Sequence, residues 1–511
     1  MHEQKQCLAE AFLRMTLNCL FIPRYEDNSG YQRILYENIL TNKILPITIF
    51  QQQLFVTGRI SSMQLNMTKG KPLPVILMFT VPLIIGNVFQ QLYNMVDTII
   101  VGRYVGADAL AAVGSTGTIM FLITGFSQGI TAGFSVRVSQ KYGARDQIAV
   151  KRNVANGILL SIISAVILTV FSASIMKPLL HIMNTPDNIY AMAYSYIIVI
   201  CIGIAANIFY NLFSSYLRAI GNSQIPLFFL VFSACLNVVL DLLFVVKLQM
   251  GVAGAGWATN LSQAISAVLC ALYIWFKTPD LKPESDQWKL SPQDTKPQLA
   301  AGIPMALQFA ITASGTMIMQ SAINLFGSEA VAAYTAAGKL QNILTQGMVA
   351  MGQTMATYGG QNYGCGDLKR LRLGVHAALL AEFVYSMIAS ATMILLLKPC
   401  LHLFFSGDVD MNAMIPWATT YSYMCALFFL PLCTIFIFRN IMQGCGYGFL
   451  PMMGGVAELV ARLVVSMLSM KLLSYRLACF ADPAAWIAAA VFTGVSYLYV
   501  MRQIEKEFQT T

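Results

Sequence analysis

Charge is scarce in this sequence. Only 11% of its 511 residues are Asp, Glu, Lys or Arg, whereas 57% are hydrophobic, and the mean hydropathy is +0.63. Soluble domains carry roughly 25% charged residues. The deficit excludes an ordinary soluble enzyme, and the apolar content excludes disorder. Histidine is nearly missing. The four present, His2, His181, His376 and His402, show no metal-ligand spacing. Eleven cysteines include no C-x-x-C pair, and Cys201, Cys235 and Cys270 lie in apolar runs. There they read as small core hydrophobes, not as zinc ligands or a disulfide framework. No G-x-x-x-x-G-K-[ST] run occurs, since Gly338-Lys339-Leu340 fails it, so ATP has no visible cradle.

The formal net charge of +9 would suit nucleic acid, but the basic residues are spread thinly and form no stripe. What is abundant is long apolar runs. A bilayer core takes about 20 apolar residues per helix. Runs of that kind predict spans near 73–101, 109–136, 153–176, 189–217, 225–246, 252–276, 299–326, 330–357, 373–397, 412–438, 449–470 and 484–501. The fold class expected is therefore an all-α polytopic membrane protein of twelve helices, embedded in the plasma (inner) membrane.

Residues 1–66 differ. They are mixed and polar, without an apolar segment leading to a small-residue cleavage site, which argues against a signal peptide. Met67-Thr68-Lys69-Gly70-Lys71-Pro72 reads as a natural beginning. Two alternatives stand: translation from Met63 or Met67, with residues 1–66 outside the native chain, or a genuine cytoplasmic extension.

Charges between spans set orientation. If residue 70 is cytoplasmic, that side carries 19 Lys/Arg from Arg59 onward, including Arg137, Lys141, Arg145, Lys151, Arg152, Lys369, Arg370 and Arg372. The other side carries six: Arg103, Lys177, Lys247, Lys398, Lys471 and Arg476. This bias puts both ends of the membrane domain in the cytoplasm.

The sequence also repeats itself at an offset of 221. Gly106–Val113 returns as Gly327–Tyr334, Gln140–Asp146 as Gln361–Asp367, Lys177–His181 as Lys398–His402, and Arg218 as Arg439. Six spans per repeat is an even number, so both halves enter the membrane in the same orientation and are related by an axis along the membrane normal. The expected organisation is a six-helix lobe at 67–277, a cytoplasmic linker at 278–297, a second lobe at 298–505 and a tail at 506–511. The linker holds Pro279, Pro283, Pro292 and Pro297 among charges and would let two bundles rock about a central cleft. A static fused scaffold is the plainer alternative.

The run Pro82–Gly102, followed by Gly106–Gly114, closely resembles the first span of the multidrug and toxic compound extrusion (MATE) transporters. Asn237-x-x-x-Asp241 and Gly251–Thr259 resemble that family too. The resemblance covers about 70–505. It implies two six-helix lobes and export driven by a proton or sodium gradient.

Six charged residues fall well inside the predicted spans: Asp97, Asp241, Lys339, Glu382, Glu458 and Arg462. A charge at the bilayer centre costs roughly 2.5–3.5 kcal/mol on insertion scales, so each needs a partner, water or a role. Asp97 lies six residues before Arg103, and Asp241 six before Lys247. Both are thus about 9 Å below the outer end of their helices. That equal depth allows a shared site. Tyr93 and Asn94 precede Asp97 on its own face, with Asn87 and Gln90 extending the stripe, and Asn237 precedes Asp241 by one turn. Two carboxyls, amide oxygens and a tyrosine suit Na+ or a held proton equally. Pairing of each aspartate with Arg103 or Lys247 is the bland alternative. The resemblance implies that aspartates of the first and fifth helices form the first-lobe cation site, with Thr259 and Pro82 linked to it.

Pro82 cannot donate a backbone hydrogen bond, so the helix can bend there, either as a gate or as a fixed kink. In the second half, Glu458 and Arg462 are four apart and are expected to neutralise each other, while Glu382 and Lys339 are candidates to pair across helices. Some relatives carry an acid on the seventh helix; here Gln308 and Gln320 stand there, which tilts coupling toward the first lobe. Gly125, Gly129 and Gly133 recur on one face and predict close helix packing. The 28 Met and 57 aromatics (30 Phe, 22 Tyr, 5 Trp) are mostly lipid-facing or core, with a subset suited to amphiphiles in the cleft.

Together with the resemblance, these residues lead to the expectation of a non-enzymatic antiporter that functions as a monomer and exports amphipathic, often cationic small molecules. It needs no cofactor beyond a coupling H+ or Na+ ion, no metal beyond that Na+ and no nucleic acid. A flippase for a lipid-linked saccharide is the alternative, opposed by the shortage of intramembrane bases, Lys339 and Arg462 alone. An intramembrane enzyme would need a catalytic constellation that the sequence does not display.

Overall fold

The computed structural model describes residues 64–183, 185–404 and 411–510. The expectation that residues 1–66 are foreign to the native chain lies almost wholly outside these. The described residues are helical, with no strand among them.

The first half contains α1 (Pro72–Tyr104), α2 (Ala107–Ser115), α3 (Gly117–Gly143), α4 (Gln147–Ile182), α5 (Asp187–Ile202), α6 (Ile204–Ala219), α7 (Gln224–Asp241) with a π-helical turn at Leu242–Lys247, and α8 (Gly251–Lys277). The second half contains α9 (Pro292–Asn324), α10 (Ser328–Gly364), α11 (Leu368–Phe404), α12 (Met411–Leu427), α13 (Phe429–Gly444), α14 (Phe449–Leu472) and α15 (Tyr475–Thr510). Nine of these are long and apolar enough to cross a bilayer singly, and α5–α6 and α12–α13 qualify as bent pairs. The remaining crossing is α10, whose 37 residues are less apolar. Its Gly347, Gly352, Thr354, Thr357, Gly359, Gly360, Gln361 and Asn362 are buried against protein, not lipid. Twelve crossings in two six-helix halves result.

The local chemistry explains the repeat. Pro72 and Pro292 open α1 and α9 at first-turn positions, where a missing N–H costs nothing. Asp146 caps α4 by accepting from the Ala149 N–H. Asp367, 221 residues later, accepts from the Arg370 N–H at the head of α11. Gly106 and Gly327 both have positive φ, 123° and 88°, before α2 and α10, a conformation that glycine alone adopts cheaply.

Two expectations need correcting. The fourth and tenth crossings are not continuous: they bend by 46° at Gly203 and by 48° at Phe428. Gly203 is needed there because a Cβ would stand 2.0 Å from the Asn260 amide, and the Val199 carbonyl accepts both from the Gly203 N–H at 3.0 Å and from Asn260 Nδ2 at 2.7 Å. The repeat spacing also changes. Helix ends obey 221 through α4 and α11, but from these breaks onward the equivalence is 225: Gly203 with Phe428, Gly221 (φ 89°) with Gly446 (φ 95°), and Gln224 with Phe449. Four extra residues enter the second half before its fourth crossing. Arg218 is therefore equivalent to Gln443, and its match with Arg439 was compositional.

The halves meet along two seams. Glycines 125, 129 and 133 of α3 pack on α9, as the spacing predicted: a Cβ on Gly129 would lie 2.7 Å from the Ala306 backbone, and one on Gly133 would lie 2.2 Å from Gly302 Cα. The end of the molecule that carries Lys141, Arg145, Lys369 and Arg370, here the basic end, is drawn shut. Gln361 Nε2 donates to the Ala219 carbonyl at 2.8 Å, and its Oε1 accepts from the Met67 N–H at 3.2 Å. Gln140 Nε2 donates to Gly444 O at 3.0 Å. Arg370 donates to the carbonyls of Met67, Lys69 and Gly70. Thr80 of α1 and Thr354 of α10 share a hydroxyl contact at 2.8 Å further along.

Residues 278–297 are not a loose spacer. Helix α9 begins within them, at Pro292. The segment is held to α4 by Lys151–Glu284 at 2.7 Å, by a two-pronged Arg152–Asp294 pair, and by Asn153 donating to Asp294 at 3.0 Å.

Candidate functional site

The site forms where α1, α7 and α8 converge in the first half. Asp97 and Asp241 are buried, at 8% and 0% exposure, and their carboxyls come within hydrogen-bonding reach of each other. The two carboxyls, read from the sequence at equal depth, thus lie near each other. Neither aspartate forms an ion pair with Arg103 or Lys247. Like charges at about 4 Å repel by roughly 4 kcal/mol even at an effective dielectric constant near 20. Two bare carboxylates would not sit together, so the geometry calls for a positive charge between them. Consistent with that, Asp97 Oδ1, both Asp241 oxygens and Asn237 Oδ1 are buried without a hydrogen-bond donor. Buried polar atoms are normally satisfied; four orphaned oxygens in one place mark a cradle for a cation or protons.

Local structure aims them there. Asp241 is the last α-helical residue of α7, and the π turn follows directly. Such turns in helices are frequent at functional sites because they widen the helix and redirect side chains. Asn237, one turn earlier and 1% exposed, donates through Nδ2 to Thr259 Oγ1 of α8 at 3.4 Å. That bond points Asn237 Oδ1 away from Thr259 and leaves it free to ligate.

Tyr93 has Gln90 of α1 and Gln263 of α8 within hydrogen-bonding reach. Gln263 accepts from Asn207 at 3.2 Å, and Asn207 accepts from Ser127 at 2.9 Å. A polar chain therefore runs from Tyr93 through four elements. The predicted neighbour Asn94 takes no part: its side chain is exposed, because at 100° per residue it turns away from the face that Asp97 shares with Tyr93. Sequence reasoning missed Tyr196 and Gln263. Tyr196 is buried (2%) beside the carboxyls, its hydroxyl 3.6 Å from Met120 Sδ. Gln263 stands one turn after Thr259, so a polar stripe on the sixth crossing was available as a signal. Tyr196 sits among Tyr190 and Tyr194 and gave none.

Pro82 lies inside α1, close to Thr80 and its contact with Thr354. It is distant in sequence from the carboxyls but on the same helix, so a bend there would move Asp97 relative to α10.

The second-half charges are arranged otherwise. Glu458 and Arg462 do pair, at 3.1 Å, and Asp482 of α15 joins at 3.0 Å. Asp482 was missed because the twelfth crossing begins at Tyr475, earlier than its apolar run suggests. Lys339 and Glu382 do not pair: Lys339 is exposed, while Glu382 is 2% exposed with Oε2 unpartnered and Cys433 beside it. No cluster of three His, Cys, Asp or Glu suited to a metal exists among the described residues.

Comparison with known proteins agrees with this architecture. The MatE family model matches residues 82–243 and 304–468, one stretch in each half. The chain is 31% identical over 312 residues to "Probable multidrug resistance protein YpnP" of Bacillus subtilis, covering 60% of this chain and 68% of that one. It is 23% identical over 325 residues to "Probable multidrug resistance protein NorM" of Thermotoga maritima, covering 63% and 69%. Among solved structures, an outward-facing multidrug resistance MATE transporter superposes with a TM-score of 0.81 at 22% identity, covering 86% of this chain and 98% of the other. A MATE transporter in the bent conformation gives 0.80 at 22% identity, covering 88% and 99%. With the family model matched in both halves and twelve crossings in two six-helix bundles, the chain belongs to the MATE family of multidrug efflux transporters.

Proposed function

We propose that this chain is an antiporter that exchanges an incoming proton or Na+ for an outgoing amphipathic, often cationic small molecule. The observation that carries the reading is the close pair Asp97–Asp241 with its undonated oxygens. A close pair of carboxyls gains most from one added positive charge, and Asn237 Oδ1 supplies a further oxygen for a hard cation.

The basic end is assigned to the cytoplasm, following the 19-to-6 distribution of Lys and Arg, with both ends of the membrane domain on that side. The conformation described is then closed on the cytoplasmic side, since the hydrogen bonds joining the halves gather at the basic end. In the proposed cycle the cation enters from outside and occupies the first-half pocket. Its binding energy favours one arrangement of α1 against α10, and substrate leaves outward. A ligand can shift such an equilibrium only through unequal affinity for the two states, which a pocket built from α1, α7 and α8 provides if α1 bends at Pro82. Each charge moved inward down 100 mV supplies about 2.3 kcal/mol. A single chain holds the whole pocket, so a monomer suffices.

The test is dye efflux from proteoliposomes with proton and Na+ gradients imposed separately. Export driven by one gradient supports the reading; export indifferent to both, or driven only by ATP, contradicts it.

A further inference from the structure

The second half contains a counterpart of the first-half pocket, and it is filled by the chain itself. Asn237 is the fourteenth residue of α7, and Arg462 is the fourteenth of α14. Tyr196 and Tyr421 are likewise 225 apart, both fully buried aromatic rings of the fourth and tenth crossings. Tyr196 touches Met120, and Tyr421 hydrogen-bonds to Gln341, the residue 221 after Met120. In the first half Asn237 reaches across to Thr259 on the sixth crossing. In the second, Arg462 Nε reaches across to Asp482 on the twelfth at 3.0 Å. The fourth, fifth and sixth crossings of each half thus line both cages, but the carboxyls are not equivalent: Ile318 and Ser466 stand where the first half has Asp97 and Asp241.

Its contents differ. The first cage holds two carboxyls and no basic residue. The second holds two carboxyls, Glu458 and Asp482, clamped on a guanidinium that is 3% exposed. Tyr421 hydroxyl lies 3.4 Å from Asp482, Tyr334 stacks edge-on against Tyr421 at 4.7 Å, and Arg439 of α13 is within electrostatic range of Glu458. Room for the guanidinium comes from Gly315 of α9, where a Cβ would stand 2.5 Å from Arg462 Nη1. That Nη1 has no acceptor, so the Arg fills the cage without completing its own hydrogen bonds, as a space-filling charge does.

We infer that Arg462 is a tethered cation occupying a second, latent cation-binding pocket formed by Glu458, Asp482, Tyr421 and Gln341. The inference rests on reading the Asp97–Asp241 cage as the working cation site. It follows that the intact chain takes up its coupling cation in the first half alone. Removing the guanidinium while keeping the carboxyls exposes a pocket for a free monovalent cation: Na+, or guanidinium itself.

The experiment uses purified full-length protein and thermal melting against millimolar NaCl or guanidinium chloride, at constant ionic strength held with choline chloride. Arg462→Gln is expected to melt below wild type and to recover as either cation is added, rising with the logarithm of concentration. The recovery persists when Asp97→Asn and Asp241→Asn are also present. Arg462→Lys, which retains a tethered charge, shows no such recovery in that double-mutant background. Absence of cation-dependent stabilisation in Arg462→Gln with Asp97→Asn and Asp241→Asn overturns the inference. A measurement on chains that keep Arg462 holds it to account even if Arg462→Gln does not fold. Cation uptake per chain should be one, lost in Asp97→Asn/Asp241→Asn and unchanged in Glu458→Gln; a second cation lost in Glu458→Gln overturns the inference. If the first-half double mutant alone keeps full uptake, the reading of Asp97 and Asp241 has failed, a result separable from the Arg462→Gln response.

Discussion

The carboxyls of Asp97 and Asp241 come within hydrogen-bonding reach of each other although 144 residues separate them in the chain. Their approach is made possible by α7 ending its regular helix at Asp241, and the pair is surrounded by side chains that orient but do not neutralise it. Asn237 is one of these, and the bond that fixes it gives the first prediction. Thr259→Val keeps the volume of the side chain and removes the acceptor for Asn237 Nδ2. A lost buried hydrogen bond costs about 1–3 kcal/mol when the partner stays buried. The expected result is a several-fold higher half-saturating cation concentration for efflux, with maximal rate little changed. A cation response identical to wild type would show that Asn237 is held by something else.

The seam between α3 and α9 makes a second demand. Gly133 Cα approaches Gly302 so closely that any side chain must push the helices apart. Gly133→Val should therefore hold the halves apart along α3 and α9. The structural readout is lower thermal stability, by an amount of the order of overpacked cores, about 1–3 kcal/mol. Transport should fall with it. Wild-type melting in Gly133→Val would mean the seam is not closed as described.

Glu382 makes the opposite prediction. It is buried on α11 with one oxygen unpartnered and, among the described residues, no basic residue paired with it. A buried uncompensated carboxylate destabilises a fold, and the amide of similar shape does not carry that cost. Glu382→Gln should melt higher than wild type and export normally. Loss of gradient-driven export in this variant would give Glu382 a coupling role that its surroundings do not suggest.

Pro82 separates a gate from a fixed kink. Pro82→Ala restores a donor for the Met78 carbonyl and straightens the preference of α1. If bending at this point accompanies the cycle, turnover falls while cation affinity in the first-half pocket is retained. Unchanged turnover assigns Pro82 to a static kink.

Much of this arrangement was legible in the sequence because a membrane makes charge expensive. Apolar runs mark the crossings, and the few intramembrane acids stand out against them, which is why the sequence singles out Asp97, Asp241 and Asn237. Three things stayed hidden for physical reasons. The breaks at Gly203 and Phe428 sit inside unbroken apolar runs, so hydropathy passes over them. The change in repeat spacing from 221 to 225 places Arg462 opposite Asn237, and Arg218 had suggested the wrong register by matching Arg439. Asp482 falls between the predicted spans, because α15 starts nine residues before the predicted start at 484. Asn94 misled in the other direction: it is adjacent in sequence to Tyr93 yet exposed, since neighbours on a helix face different ways.

The account stands or falls on the carboxyl pair of the first half. The most direct measurement is efflux of a fluorescent cationic dye from proteoliposomes carrying equal amounts of wild type, Asp97→Asn and Asp241→Asn, with a proton gradient or an Na+ gradient imposed alone. The account predicts that wild type exports under one of these gradients and that both variants, inserted normally, fall to the leak rate of empty vesicles. Wild-type export by either variant under the same gradient would contradict it.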